Sequence, residues 1–291
     1  MVTEAALMQA CGEGTYWDDL AQACLTTETC QEDLDGDGVI GVNDLLDLLS
    51  SFGSECAPEP ETAEWTCGDV VNYHGYNYNT VLIGGQCWFT ENLRTQNYSN
   101  GDVINTGLNG PEWANATSGA VTLYGEDPSP SCVDYSPTVD SCDPNEALPA
   151  FGRIYNWHAV GDPRGLCPAG WHVPSDNDFM ELEVFMGIDA DEVQGSGWRG
   201  TTEGNQLKTE TGWHNGGNGS NLYGFDLVPA GARGTSGQYD NAGRNGYLWT
   251  STSPQENSAF YRRIEAGNSQ IARGSYVYVE GYPARCLKDT E

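Results

Sequence analysis

Residues 33–44 read Asp-Leu-Asp-Gly-Asp-Gly-Val-Ile-Gly-Val-Asn-Asp. In a twelve-residue calcium loop, Asp33, Asp35 and Asp37 take positions 1, 3 and 5, Gly38 the sharp turn at position 6, and Asp44 the closing position 12. Hard carboxylate oxygens at alternate positions are what Ca2+ requires, and Val39 would add its backbone carbonyl at position 7. The spacing predicts a metal site made by Asp33, Asp35, Asp37, Val39 and Asp44, with Ca2+ as the cofactor. Ile40 is the apolar residue that points inward, and LLDLLSSFG begins a helix with Leu45, Leu48, Leu49 and Phe52 on one stripe. So small a unit cannot bury that stripe alone; it must pack on the rest of the chain or on another chain.

Nucleophilic chemistry has no comparable signature. His74, His158, His172 and His214 show no metal-ligand spacing, and neither a Gly-x-Ser-x-Gly elbow nor a phosphate loop occurs. The protein is not expected to be an enzyme. The run HNGGNGSN, His214 to Asn221, reads first as a Gly/Asn turn and second as a further cation site.

These residues sit in a chain of 291 residues with 42 Asp and Glu against 12 Lys and Arg, a net charge of −30. So acidic a surface repels phosphate, which argues against nucleic acid and anionic lipid headgroups as partners and leaves divalent cations open. No apolar run approaches the roughly 18 to 20 residues of a membrane span. A hydrophobic share of 38%, with 11% aromatic, suffices for a core. Ten cysteines among 37 glycines, with Lys208 and Lys288 the only lysines, predict a secreted or cell-surface protein with up to five disulfides.

No Lys or Arg precedes Arg94, whereas seven of the twelve lie from Arg233 onward, so the two ends differ in kind. Residues 1–29 form a short segment holding Cys11 and Cys24, and residues 30–56 form the calcium module bounded by Cys30 and Cys56. Residues 57–64, APEPETAE, are a polar linker. Residues 65–291 are the large domain. There Ser175 and Asp178 predict a capped helix with Phe179, Leu182 and Phe185 or Met186 on its buried face and Gly187 at its end. Strands are expected in 80–89, 152–160, 246–252, 259–265 and 275–281, between turns. The fold class is α+β, with most of the chain in loops.

The calcium loop, with Asp at position 12, resembles one repeat of a type I dockerin; dockerins carry two such repeats, and this chain has one. From Cys67 on, YNTVLIGGQCWFTENLR (Tyr78 to Arg94), GRIYNWHAV, PRGLCPAGWHVPSDNDF (Pro163 to Phe179), NLYGFDLVPAGARG (Asn221 to Gly234), GYLWTSTS and PARCLKD (Pro283 to Asp289) resemble, in order, the Fibrobacter succinogenes major paralogous domain. That is a family of exported bacterial proteins. The resemblance implies a C-type-lectin-like domain of the formylglycine-generating-enzyme type, rich in loops and disulfides, behind a small EF-hand-like calcium module. Spacing leaves many cysteine pairings open. The expected set is Cys11 with Cys24, Cys30 with Cys56, Cys67 with Cys87, Cys132 with Cys142, and Cys167 with Cys286, the last also implied by the resemblance. Cysteine oxidation of the formylglycine-generating kind needs free thiols, and in that set every cysteine has a partner. The Glu-Pro-Asn, Gln-Pro-Asp and Trp-Asn-Asp triplets of sugar-binding animal lectins are absent, which argues against a calcium-dependent mannose or galactose site.

A ligand surface is expected near the C-terminus, on Arg262, Gln270, Arg273, Tyr276, Tyr278 and Glu280, with Tyr239 and Trp249 as secondary candidates. Basic residues collect there, and Tyr and Arg are enriched at binding hot spots. Strand alternation in SYVYVEG would put Tyr276, Tyr278 and Glu280 on one face, an arrangement that equally fits cross-strand packing. The resemblance adds that related lectin-fold proteins carry varied binding residues in this stretch. The expected function is non-catalytic recognition or adhesion of an extracellular glycan or protein ligand. The alternative is a structural subunit of an extracellular assembly or filament, docking on neighbouring copies through the calcium module.

Overall fold

The computed structural model describes residues 15–18, 23–26, 42–51, 65–126 and 132–290. The chain divides into two units, Met1–Glu64 and Trp65–Glu291. In the first, β1 (Thr15–Asp18) and β2 (Ala23–Thr26) pair antiparallel. Helix α1 (Val42–Ser51) begins two residues before Asp44, so the last loop position lies inside the helix. Val42, Leu45, Leu46 and Leu49 are exposed on it. Asp33, Asp35, Asp37 and Val39 lie outside the described residues, as do Cys11, Cys30 and Cys56; Asp44 and Cys24 are described through their backbone alone.

The second unit opens with β3 (Val71–Tyr73) and β4 (Tyr76–Tyr78), then β5 (Thr80–Ile83) and β6 (Gln86–Phe89). The expected single strand over 80–89 is thus a hairpin, because Gly84 takes a φ of +62° and reverses the chain. Short helices follow at α2 (Gly110–Ala114), α3 (Pro144–Phe151) and α4 (Trp157–Val160). α5 (Asp176–Met186) is the longest of the second unit, and α6 (Glu203–Leu207) follows it.

The remaining strands are β7 (Val121–Thr122), β8 (Ile154–Asn156), β9 (Trp171–His172) and β10 (Gly197–Arg199). Then come β11 (Ala230–Arg233), β12 (Tyr239–Ala242), β13 (Asn245–Trp249) and β14 (Ser258–Glu265). The chain closes with β15 (Ile271–Val277), β16 (Gly281–Pro283) and β17 (Leu287–Lys288). Besides the two-stranded pair β3-β4, three sheets of four or five strands result among the described residues, ordered β10-β15-β14-β13, β12-β11-β16-β8-β7 and β5-β6-β17-β9. Their strand pairs run antiparallel. Because β17 lies between β6 and β9, the end of the domain is hydrogen-bonded to its beginning. The fold is mixed, with mostly antiparallel sheets and few helices.

Side-chain alternation along the strands sorts the interior into two layers. Tyr247 and Trp249 of β13 join Tyr78, Phe89, Tyr155 and Tyr282 in one, while Leu248 between them joins Trp88, Phe179, Leu182 and Phe225 in the other. Disulfides Cys67–Cys87, Cys132–Cys142 and Cys167–Cys286 staple the loops to this core. Among the described residues no helix is long and apolar enough to cross a membrane.

The cap of α5 forms as its sequence dictates: Ser175 Oγ accepts from the Asp178 amide, the Asp178 carboxylate accepts from the Ser175 amide, and Gly187 ends the helix at φ +113°. Phe179, Leu182 and Met186 are buried, and Phe185 is exposed. The strand expected over 152–160 stops at Asn156, whose Oδ1 accepts from the Ala159 amide at 3.1 Å and so caps α4.

Candidate ligand-binding surface

Glu183 follows Asp176 by two helical turns, so both carboxylates leave α5 on one face. Both are buried, beside three arginines from neighbouring strands. Arg262 of β14 donates from Nη1 to Asp176 at 2.7 Å and from Nε to Glu183 at 2.6 Å. Arg273 of β15 donates from Nη2 and Nε to Asp176 at 2.6 and 2.9 Å, and Arg199 of β10 from Nη2 to Glu183 at 2.9 Å. Burial raises the Asp176 carboxyl, but the Arg273 and Arg262 guanidiniums outweigh it and hold the group below its ordinary value. Charges this deep persist only when paired and hydrogen-bonded. Arg262, 3% exposed, and Arg273 therefore anchor the helix to the sheet and are not ligand-facing, which corrects the sequence expectation. Gln270 likewise turns inward, its Nε2 donating to the Gly200 carbonyl at 2.8 Å. Tyr239 and Trp249 are buried.

Tyr276, Tyr278 and Glu280 remain, though not as one alternating face. β15 ends at Val277, where the Glu280 amide donates back to the Val277 carbonyl and closes a turn. Tyr276, the last outward residue but one, is 46% exposed. Tyr278 folds back instead: its ring stacks on Trp157 at 4.3 Å and 19°, and its edge meets His158 at 5.4 Å. The Tyr278 hydroxyl lies 2.7 Å from Ser253 Oγ, and its carbonyl accepts from the Trp157 amide. Burial pushes the Glu280 carboxyl up to about 7, against the pull of a hydrogen bond from the Thr235 amide. Trp157 and Ser253 have no sequence signal of their own; the only clue is Asn156, a capping residue that ends β8 and turns the next aromatic outward. An exposed phenol, a half-buried aromatic stack and a carboxyl titrating near neutrality can recognise a ligand by stacking and hydrogen bonding.

Residues 81–288 match the sequence model of the Fibrobacter succinogenes major domain. The chain belongs to that family. No curated protein and no solved structure shows a match. The matched segment of this Fibrobacter succinogenes major domain protein contains the whole α5 network, the Trp157–Tyr278 stack and the Cys167–Cys286 bridge.

Two further polar clusters in the family domain are satisfied internally. The buried Lys208 ammonium donates to the carbonyls of Gly217, Glu265 and Asn268 at 3.0, 2.9 and 3.0 Å. Burial pushes it down to about 8, so it is still charged at neutral pH. The run His214 to Asn221 thus gives one of its carbonyls to a cation supplied by the chain itself. His172 lies between Asp289 (Nδ1, 2.6 Å) and Asp178 (Nε2, 3.2 Å). The Asp178 carboxylate, with Asp289, raises the imidazole over the opposing effect of burial. Among the described residues no group of three or more His, Cys, Asp or Glu is disposed to hold a metal.

Proposed function

We propose that this is a non-catalytic recognition or adhesion protein of the bacterial exterior, with a glycan or protein as ligand. Its family domain would have the C-type-lectin-like fold of the formylglycine-generating-enzyme type, a reading supported by the short helices, antiparallel sheets, disulfides and joined domain ends. A dockerin-like EF-hand module, with Ca2+ held by Asp33, Asp35, Asp37, Val39 and Asp44, would stabilise the N-terminal unit. The observation that carries the recognition reading is the aromatic group where β15 ends: Tyr276 exposed, with Tyr278 stacked on Trp157. Rigid aromatic anchors with a polar edge supply contact area at small entropic cost. Glycan and protein array screening of the purified chain would identify the ligand. Tyr276→Ala and Tyr278→Ala should then each weaken it about tenfold or more, the scale of a hot spot. Unchanged affinity with an intact circular dichroism spectrum would remove this surface from consideration.

A structural subunit is the second reading, favoured by the exposed Val42, Leu45, Leu46 and Leu49 of α1. Such a stripe suits docking on another chain. Light scattering after size exclusion, with and without Ca2+, separates the two: a monomer in both conditions argues for the binder, and calcium-dependent assembly for the subunit.

A further inference from the structure

The eight-residue strand β14 carries the Tyr276 surface near Ser258, and at its other end, about 23 Å away at strand rise, Glu265 lines a separate cavity of about 310 Å³. His214, Asn215, Arg244, Asn245 and Gly267 also line it. Arg244 sets this cavity apart. Its guanidinium lies 3.5 Å over the Tyr135 ring. Among the described residues its side chain enters no hydrogen bond or ion pair. Each of the other eleven Lys and Arg side chains, out of 12, is bonded to a carbonyl or paired with a carboxylate. In a chain with 42 acidic residues, one guanidinium held ready by an aromatic face and left without an anion is the exception.

We infer that this cavity binds a carboxylated sugar of monosaccharide size, with its carboxylate on Arg244. Tyr135 occupies one face of the guanidinium, which leaves the in-plane N–H fork to a planar two-oxygen acceptor. The neighbours suit hydroxyls. His214 donates from Nδ1 to the Tyr135 carbonyl at 3.1 Å, which leaves Nε2 as an acceptor, and Asn215 offers both an amide donor and an acceptor. Glu265, ion-paired to Arg263 at 3.3 Å, accepts from ring hydroxyls, a contact that phosphate, which has no ring, cannot make while it sits on Arg244. The volume is at the small end of ligand pockets, roughly 300 to 1,000 Å³, which suits about one sugar ring. The Tyr276 surface plays no part in this assignment, so the two stand or fall separately.

The test is a nuclear magnetic resonance titration of the full chain with D-glucuronate, following the Arg244 Nε–H and His214 signals. Glucuronate should shift both saturably, and glucose and inorganic phosphate should bind about tenfold or more weakly by comparison. Arg244→Gln should weaken glucuronate by a similar factor. Gly267→Phe provides a second variant that keeps Arg244: Gly267 lines the cavity and a Cβ there meets no atom within 4 Å, so the backbone accepts a side chain, and a phenyl ring is expected to compete for the ligand's space. It should weaken glucuronate by about tenfold or more as well. No saturable shift with glucuronate, equal affinity in Arg244→Gln, or equal affinity for phosphate or glucose overturns the assignment.

Discussion

Arg273 and Asp176, 97 residues apart in sequence, meet in a two-point ion pair through Nε and Nη2. Asp176 is buried and shares its carboxylate with the buried Arg262, so removing the anion leaves that guanidinium and the half-buried Arg273 with Glu183 alone to balance them. Asp176→Ala should therefore lose about 3 to 5 kcal/mol, the range for breaking a buried pair. Urea unfolding measures it, as a lower midpoint at unchanged slope. A loss below about 1 kcal/mol would mean that the network behaves as a surface pair does.

The same network shows what the sequence could and could not convey. The α5 cap was legible because Ser175, Asp178 and Gly187 act through local backbone hydrogen bonds. That Glu183 and Asp176 would be buried was not, since their partners come from β10, β14 and β15, and no local pattern distinguishes a paired arginine from a ligand-facing one. Tyr276 was legible as an outward strand residue. Tyr278 was misplaced because alternation holds only while the strand lasts, and a turn after Val277 ends it. Trp157 was hidden by a continuous strand-like run, GRIYNWHAV, that Asn156 interrupts by capping the next helix.

His172 gives the domain a pH-sensitive link between β9, the start of α5 and the chain end. Its folded pKa is raised above the unfolded value of about 6.5. The stability it contributes is thus fully present below about pH 6.5 and is lost as pH rises through the folded pKa. Denaturation midpoints should fall over that window in the wild type and less so in His172→Gln. A parallel pH profile for the two proteins would show that the two carboxylates do not hold the charged imidazole.

Cys167 and Cys286 close a loop of 119 residues, tying the segment before α5 to the residue that leads into the last strand. In the chain-entropy account so long a closure stabilises by roughly 4 to 5 kcal/mol. Replacing both with Ser should lower stability by several kcal/mol, and the wild-type protein should show neither thiol as reactive. Alkylation of Cys167 in non-reduced peptide maps would contradict the bridge.

For the proposed calcium loop, isothermal titration should show about one Ca2+ per chain. Asp33→Ala and Asp37→Ala should each abolish that binding, because each removes a carboxylate from a position the ion needs. Binding that persists in both variants would put the ion elsewhere in the protein.

Two opposed effects act on Lys208. Burying an ammonium is unfavourable, and an apolar replacement of similar length can relieve that penalty. Against this, the Lys208 Nζ donates to the carbonyls of Gly217, which follows the His214–Gly216 turn, and of Glu265 and Asn268, the two ends of the turn after β14. Lys208→Met fills the space but leaves those acceptors without their donor, at about 1 to 3 kcal/mol for each carbonyl that water does not reach. Three acceptors against one desolvated charge favour the lysine, so Lys208→Met should be destabilising by a few kcal/mol. Lys208→Arg should not rescue it, since a planar fork cannot reach three carbonyls arranged around a point charge. A Lys208→Met protein as stable as the wild type would show that water satisfies these carbonyls and that the ammonium is dispensable.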